Sequence, residues 1–531
     1  MASMLIRGVR LKAAIGAHCF ALILAGAAAA GPLEDGVSAA RTGDYKTALQ
    51  LLAPLAAKGT AAAQHELGLL YRDGLGVPRD YARALALLRR ASDQNYGPAQ
   101  FALGSLYHSG LGVAPDPAAA LAWFTKAAEQ GHADAQHALG SLHLTGNGVP
   151  KDPAKAAEWY RRAAEQQHAP SLFQLGQLYS LGVGVEKDEV EAVRLLRSSA
   201  YGGFADAQAA MGAIYAQGRG VPQDYAEAEY WYRKAAEQGH GAAQFEIGRL
   251  LENAPIGRQD FAEAATWYRK AAERGHAAAQ YHLGLLLFTG LGLPLNYTEA
   301  GTWFRRSAMQ GNADAQYALG SLYYNGLGVA RDFAEAAQWY RKAAEQGKAT
   351  AQSILAAMHE QGLGVPKDEA IATGLFRSAA QRGDARAQFA LATRYYRGIG
   401  LEKDFAEAAN WFRKAAEQGH AEAQYWLANA YYAGQGTARD WKLALTWYRK
   451  SADQGEPNAQ YALGGIYERG TALPQDDAQA FKWFSLAAAH FGAALAEMRS
   501  AAETARDRVA ARMSAQQLAA AQTLVREWKA H

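Results

Sequence analysis

Glutamine returns every 36 residues along most of this chain, at Gln64, Gln100, Gln136, Gln208, Gln244, Gln280, Gln316, Gln352, Gln388, Gln424 and Gln460, with Leu172 in the fourth place. No residue is gained or lost between these marks. A strict period of this length belongs to stacks of two-helix units, because one such unit cannot bury its apolar face alone and must share it with its neighbours. The chain is therefore expected to be all-α, a solenoid of twelve helix-turn-helix repeats with helical caps.

Within one unit, Ala61 to Gln94, the side chains Gln64, Leu67, Gly68 and Tyr71 fall at i, i+3, i+4 and i+7. Ala84, Leu87, Leu88 and Ala91 repeat that spacing after a turn, so the unit reads as two antiparallel amphipathic helices, A and B. The place of Gly68 holds Gly in nine units and Ala in Ala356, Ala392 and Ala428, while that of Ala84 is Ala in all twelve, through Ala480. Side chains that small point to a close crossing of A on B. Gly74 and Gly76 mark the turn, and Asp80, replaced once by Asn296, stands where it would cap helix B. Four glycine places account for 40 of the 54 glycines, so the G-x-G turns read as architecture rather than as phosphate loops. The place of Leu87 carries Trp in nine units, expected as core knobs between repeats. Beside them, pairs such as Arg233-Lys234, with Glu237 shortly after, read as a solvated face with i,i+4 ion pairs.

The ends break the pattern. Residues 1–30 carry Arg7, Arg10 and Lys12, an apolar run from Ala13 to Leu24 and the tetrad Ala27 to Ala30, the layout of a cleavable secretory signal. The run is too short for a membrane span, and no later segment reaches that length, so no span is expected after cleavage. Residues 31–59 read as an N-terminal capping region that matches only the second helix of a unit. The array covers 60–490, and 491–531 forms a helical cap, with an Ala- and Arg-rich helix expected from Ala487 to Met513 and a last helix started by Ser514 and Gln517. The repeat containing Leu251 to Arg258 loses both turn glycines at unchanged length, through neutral drift in an exposed turn or as a hinge or specialised contact.

The consensus A-x-A-Q-x-x-L-G-x-x-Y-x-x-G-x-G-V-x-x-D-x-x-x-A-x-x-W-x-x-x-A-A-x-x-G, complete from Ala313 to Gly347, closely resembles the Sel-one-like repeats (SLR), relatives of the tetratricopeptide repeats. The resemblance covers Gln64 to Ala488. It implies a right-handed superhelix that serves as an adaptor for proteins in secretion, envelope signalling or host contact, and it implies no reaction.

Composition agrees with a non-enzyme. The single cysteine, Cys19, lies in the signal, which removes thiol chemistry and disulfides from residues 31–531. The chain has 54 Lys+Arg and 51 Asp+Glu, and the three surplus positives all sit in residues 1–30, so the remainder is neutral and holds no field for nucleic acid. No nucleophile, zinc or phosphate motif occurs, and His132, His168, His240, His276 and His420 recur at whole-repeat spacing that does not bring them to one metal. No cofactor is expected. By analogy with tetratricopeptide units, the residue after the glutamine faces a concave groove, which selects Phe245, Tyr281, Tyr317, Phe389 and Tyr425. One turn on, the place of Arg72 adds Tyr324, Tyr396 and Tyr432. Aromatic rings with polar tips suit an extended peptide or a partner protein. The expected function is thus a periplasmic or secreted scaffold for protein partners, with a cell-envelope glycan- or peptidoglycan-binding factor or an envelope hydrolase accessory protein as the alternative.

Overall fold

The computed structural model describes residues 31–254, 258–471 and 473–529; the signal assigned to residues 1–30 lies outside them. Every regular element among the described residues is helical, from Pro32–Thr42 and Tyr45–Ala57, through paired A and B helices in each repeat, to Ala515–Glu527. The described residues form two compact bodies, divided between Leu250 and Leu251, next to the turn that lacks its glycines. Part of that turn, 255–257, lies outside the described residues. Each body is a stack of helix pairs in which a helix packs on its sequence neighbours.

The repeat from Ala313 shows why this sequence makes this shape. Helix A, Ala313–Asn325, is capped by the Asn312 side chain, which accepts from the Ala315 N–H at 2.8 Å. It ends at Gly326, which has φ +70° and closes the last turn onto the Leu322 carbonyl at 2.8 Å. Gly328 also sits at positive φ, and a Cβ there would lie 2.4 Å from the Tyr297 carbonyl carbon of the preceding helix B, so this glycine lets the turn press on the previous repeat. Asp332 then caps helix B, Phe333–Glu345, accepting from the N–H groups of Ala334 and Glu335 at 2.9 and 3.0 Å.

The small residues of helix A have an equally local cause. A Cβ on Gly140 would meet the Tyr160 ring at 2.6 Å, and Gly284 stands in the same relation to Phe304. The large helix-B ring packs directly on the glycine of helix A, and Tyr160, Phe304 and Tyr340 are each 1 % exposed. Burying a ring of that size is worth about 2–3 kcal/mol.

The glutamines hold the units together from inside. Gln316 Nε2 donates to the Ala308 carbonyl at the end of the previous helix B at 3.1 Å, and Gln316 Oε1 accepts from Gln346 at the end of its own helix B at 2.8 Å. One buried amide therefore ties three helices, and the arrangement recurs at Gln64, Gln136, Gln388 and Gln424. In the fourth repeat Leu172 replaces the glutamine and Gly202 stands where the second one would be, so both halves of the staple are absent together.

Three expectations are modified. Helix Pro32–Thr42 precedes Tyr45–Ala57, so the N-terminal cap is a helix pair rather than a half repeat; Gly36 packs on Leu52, 16 residues on, whereas Gly68 packs on Leu88, 20 residues on. The shorter turn shifts the register and conceals the first helix. The stretch from Ala487 to Met513 is also not one helix: Asp477–His490 ends at Phe491, and Ala496–Ala510 begins after a 3-10 turn. The Ser514–Gln517 capping box is present as expected. Finally, the basic pairs of helix B are only in part the expected i,i+4 ion pairs: Arg233 Nη2 donates to Glu229, four residues before it, at 2.7 Å, while other pairs find aromatic partners. One cation lies over the tryptophan ring three residues before it, as Lys342 does over Trp339 at 4.0 Å, and the other reaches a tyrosine hydroxyl of the next repeat, as Arg449 does Tyr467 at 2.8 Å. The ring lies on the cation's own helix, whereas the phenol belongs to the next repeat, so only the second contact joins two helices.

Candidate partner-binding face

The residue after the repeat glutamine lies at the seam between helix A and the core. Tyr281, Tyr317, Phe389 and Tyr425 are half-buried, and each turns one ring face onto the large helix-B ring of its own repeat: Phe304 at 5.9 Å, Tyr340 at 5.7 Å, Phe412 at 5.8 Å and Tyr448 at 6.1 Å. Phe245, in the first body, is half-buried as well. Burial pushes the phenols of Tyr281 and Tyr425 above their usual range, so both stay neutral hydrogen-bonding groups. This row is part core, part surface.

The register one turn further on is built differently. Tyr324, Tyr396 and Tyr432 each meet edge-on the aromatic residue that opens the following helix B, Phe333 at 5.2 Å, Phe405 at 5.3 Å and Trp441 at 4.4 Å. Each edge-to-face pair is worth about 0.5–1.5 kcal/mol and fixes the tyrosine without enclosing it. Phe288 and Tyr297 make a fourth such corner at 5.2 Å. Tyr396 also packs on Trp426 at 5.0 Å, and its hydroxyl stands 3.5 Å from Gln435 Oε1, forming a shallow cleft. Phe333, Phe405, Trp441, Trp426 and Gln435 were not selected from the sequence. The first three could have been, because an aromatic directly after the cap Asp, nine residues beyond another aromatic, is visible in the repeats aligned on themselves.

Four of the five recurrent histidines are caps. His132, His240, His276 and His420 each accept through Nδ1 from the backbone N–H three residues on, at 3.1–3.4 Å. Burial holds His132 and His420 below the usual imidazole range, which keeps the accepting nitrogen free of a proton. Among the described residues no group of three or more His, Cys, Asp or Glu could hold a metal ion. One row looks catalytic on paper: Asp134 lies 3.2 Å from His168 Nε2, and His168 Nδ1 lies 2.8 Å from Ser171 Oγ. Ser171 is 0 % exposed, and its hydroxyl is also 2.9 Å from His137 Nδ1, so it bridges two imidazoles inside the stack and meets no solvent. Burial, with His168 beside it, pushes His137 down to about 4.

Set against known proteins, the chain matches the family profile "Sel1 repeat" twelve times in succession, at residues 61–96, 97–132, 133–168, 169–204, 205–240, 241–276, 277–312, 313–348, 349–384, 385–420, 421–456 and 457–490. No match was found among curated proteins. Among solved structures, it is similar to a protective antigen of uropathogenic Escherichia coli strains that displays an SLR fold, with 36% identity over 84% of this chain and 94% of that one and a TM-score of 0.77. It is also similar to a Sel1 repeat protein from Oxalobacter formigenes, with 32% identity over 62% of this chain and 93% of that one and a TM-score of 0.49.

Proposed function

The chain belongs to the Sel1-repeat family, and from that membership we propose that it is a periplasmic or secreted scaffold that holds a protein segment along the A-helix face of its array. The reading of its location rests on the signal-like composition of residues 1–30 and agrees with a chain in which no described helix is long and apolar enough to cross a membrane. Repeat arrays of this kind offer an extended surface whose shape comes from stacking, so binding requires no chemistry beyond the side chains they display.

One observation carries the proposal: Tyr324, Tyr396 and Tyr432 recur on one helical register, each held by an aromatic corner pair yet left half-exposed. Rigid aromatic area with a polar tip costs little ordering entropy on binding, which is why Tyr and Trp dominate interface energetics. Affinity capture from envelope extract with the protein and with a Tyr324→Ala/Tyr396→Ala/Tyr432→Ala variant tests it. The expected result is a protein retained by the parent and lost with a variant of unchanged helical melting. If both forms retain the same material, or only polysaccharide is retained, the protein-scaffold reading of this face fails.

A further inference from the structure

The inner register of helix A changes chemistry in the tenth repeat. The helix-A position held by Leu322 and Met358, and apolar in every other repeat, is Arg394 in the tenth. Arg394 is 2 % exposed and lies over the Phe376 ring at 5.2 Å. Its Nη2 donates to Glu360 Oε1 at 2.7 Å, and its Nη1 to Glu369 Oε2 at 2.9 Å and Thr373 Oγ1 at 3.0 Å, while its buried Nε has no partner among the described residues. Glu360 and Glu369 occupy the corner that is Tyr324 with Phe333 one repeat earlier and Tyr396 with Phe405 one repeat later. An aromatic corner has thus been exchanged for a pair of carboxylates bridged by a buried guanidinium.

Burying an arginine is expensive, and one carboxylate would neutralise it. Here two are committed, each through one oxygen, and both side chains stay about two-fifths exposed, Glu360 at 41% and Glu369 at 40%. Lys367, itself 65% exposed, stands 3.9 Å from the outer oxygen of Glu369, so Glu360 is the carboxylate left facing outward without a second cation. Glu252 and Glu468 share its register at intervals of three repeats, yet they are 17% and 12% exposed and are occupied by His282 and by Arg508 and Arg512. Those two serve the fold; Glu360 remains available.

We infer that the Glu360 corner recognises a lysine or arginine side chain of the bound segment, between apolar side chains seated at Tyr324 and Tyr396. The inference rests on the scaffold reading above and assigns it a sequence preference through charge complementarity. Neighbouring A helices lie on the order of 10 Å apart and an extended chain advances about 3.3 Å per residue, so the apolar positions fall about three residues to either side of the basic one.

A random twelve-residue peptide display library panned on the full-length protein, with Glu360→Gln as the parallel target, tests this. The expected result is enrichment of Lys or Arg between apolar residues, with binding of the selected peptides weakened about tenfold by Glu360→Gln or by replacing the basic residue with norleucine. Glu369→Gln, whose carboxylate Lys367 already attends, is the companion variant and should retain the basic preference; should Glu360→Gln fail to retain the parent's helical melting curve, the norleucine peptides carry the test. Peptides that enrich without a basic preference, lose binding with Tyr324→Ala/Tyr396→Ala and ignore both glutamine variants overturn the cation inference and leave the scaffold reading standing. No enrichment above the bare surface overturns both.

Discussion

At the scale of the residue, the repeat glutamine is a buried amide, and Gln316 has a partner on each side. Replacing Gln316 by Leu strands the Ala308 carbonyl and the Gln346 amide, and we expect a loss of about 2 kcal/mol in denaturant unfolding. Gln316→Leu with Gln346→Gly should lose clearly less than the two single changes summed, as the fourth repeat, with Leu172 and Gly202, already implies. The period of the glutamine was plain in the sequence, but its purpose was not, because the partner 30 residues away sits at a helix end that reads as exposed loop. A second prediction concerns protons. His137 holds its proton only below about 4 when folded, against 6.5 for an ordinary imidazole, so the unfolded chain takes up the proton first as pH falls. The stability this adds is whole above about 6.5 and is lost between there and about 4. The melting temperature should therefore fall across that window, and His137→Gln should flatten the slope; an unchanged slope would show that His137 does not report the titration.

At the scale of the element, helix ends were the most legible part of the chain. Asp332 and its counterparts cap helix B where the G-x-G turn placed them, and Asp332→Ala should cost about 1 kcal/mol with no change in helix content at saturation, as read by urea unfolding followed by circular dichroism. Crossing geometry was legible for the same reason: Gly140 can only be small, and Gly140→Ala should destabilise by about 1–3 kcal/mol because its Cβ would fall 2.6 Å from the Tyr160 ring. What sequence spacing could not show is which of several acceptors a long side chain chooses. Arg449 of one helix B reaches the Tyr467 hydroxyl of the next repeat, and Tyr324, Tyr396 and Tyr432 find Phe333, Phe405 and Trp441 across the turn. Both depend on contacts between elements, not along one. The N-terminal helix Pro32–Thr42 was missed because its turn is shorter and breaks the period on which the reading relied.

At the scale of the molecule, helices within each body pack mainly on their neighbours in sequence, so stability is built from repeats and their nearest interfaces. Deleting residues 313–348, one whole period, should leave a chain that still unfolds cooperatively with nearly the parent's helicity per residue, whereas deleting 313–330 alone should not, because it removes one helix of a pair and exposes the face it covered. The central claim, that the A-helix face is where a protein segment lies, is tested most directly by site-specific photo-crosslinking. A photoreactive phenylalanine placed at Tyr324 or Tyr432 is predicted to join the captured partner, while the same group at Gln338 or Thr446, exposed on helix B, is predicted to leave it free. Crosslinks that form from Gln338 and Thr446 but not from Tyr324 and Tyr432 would contradict the account.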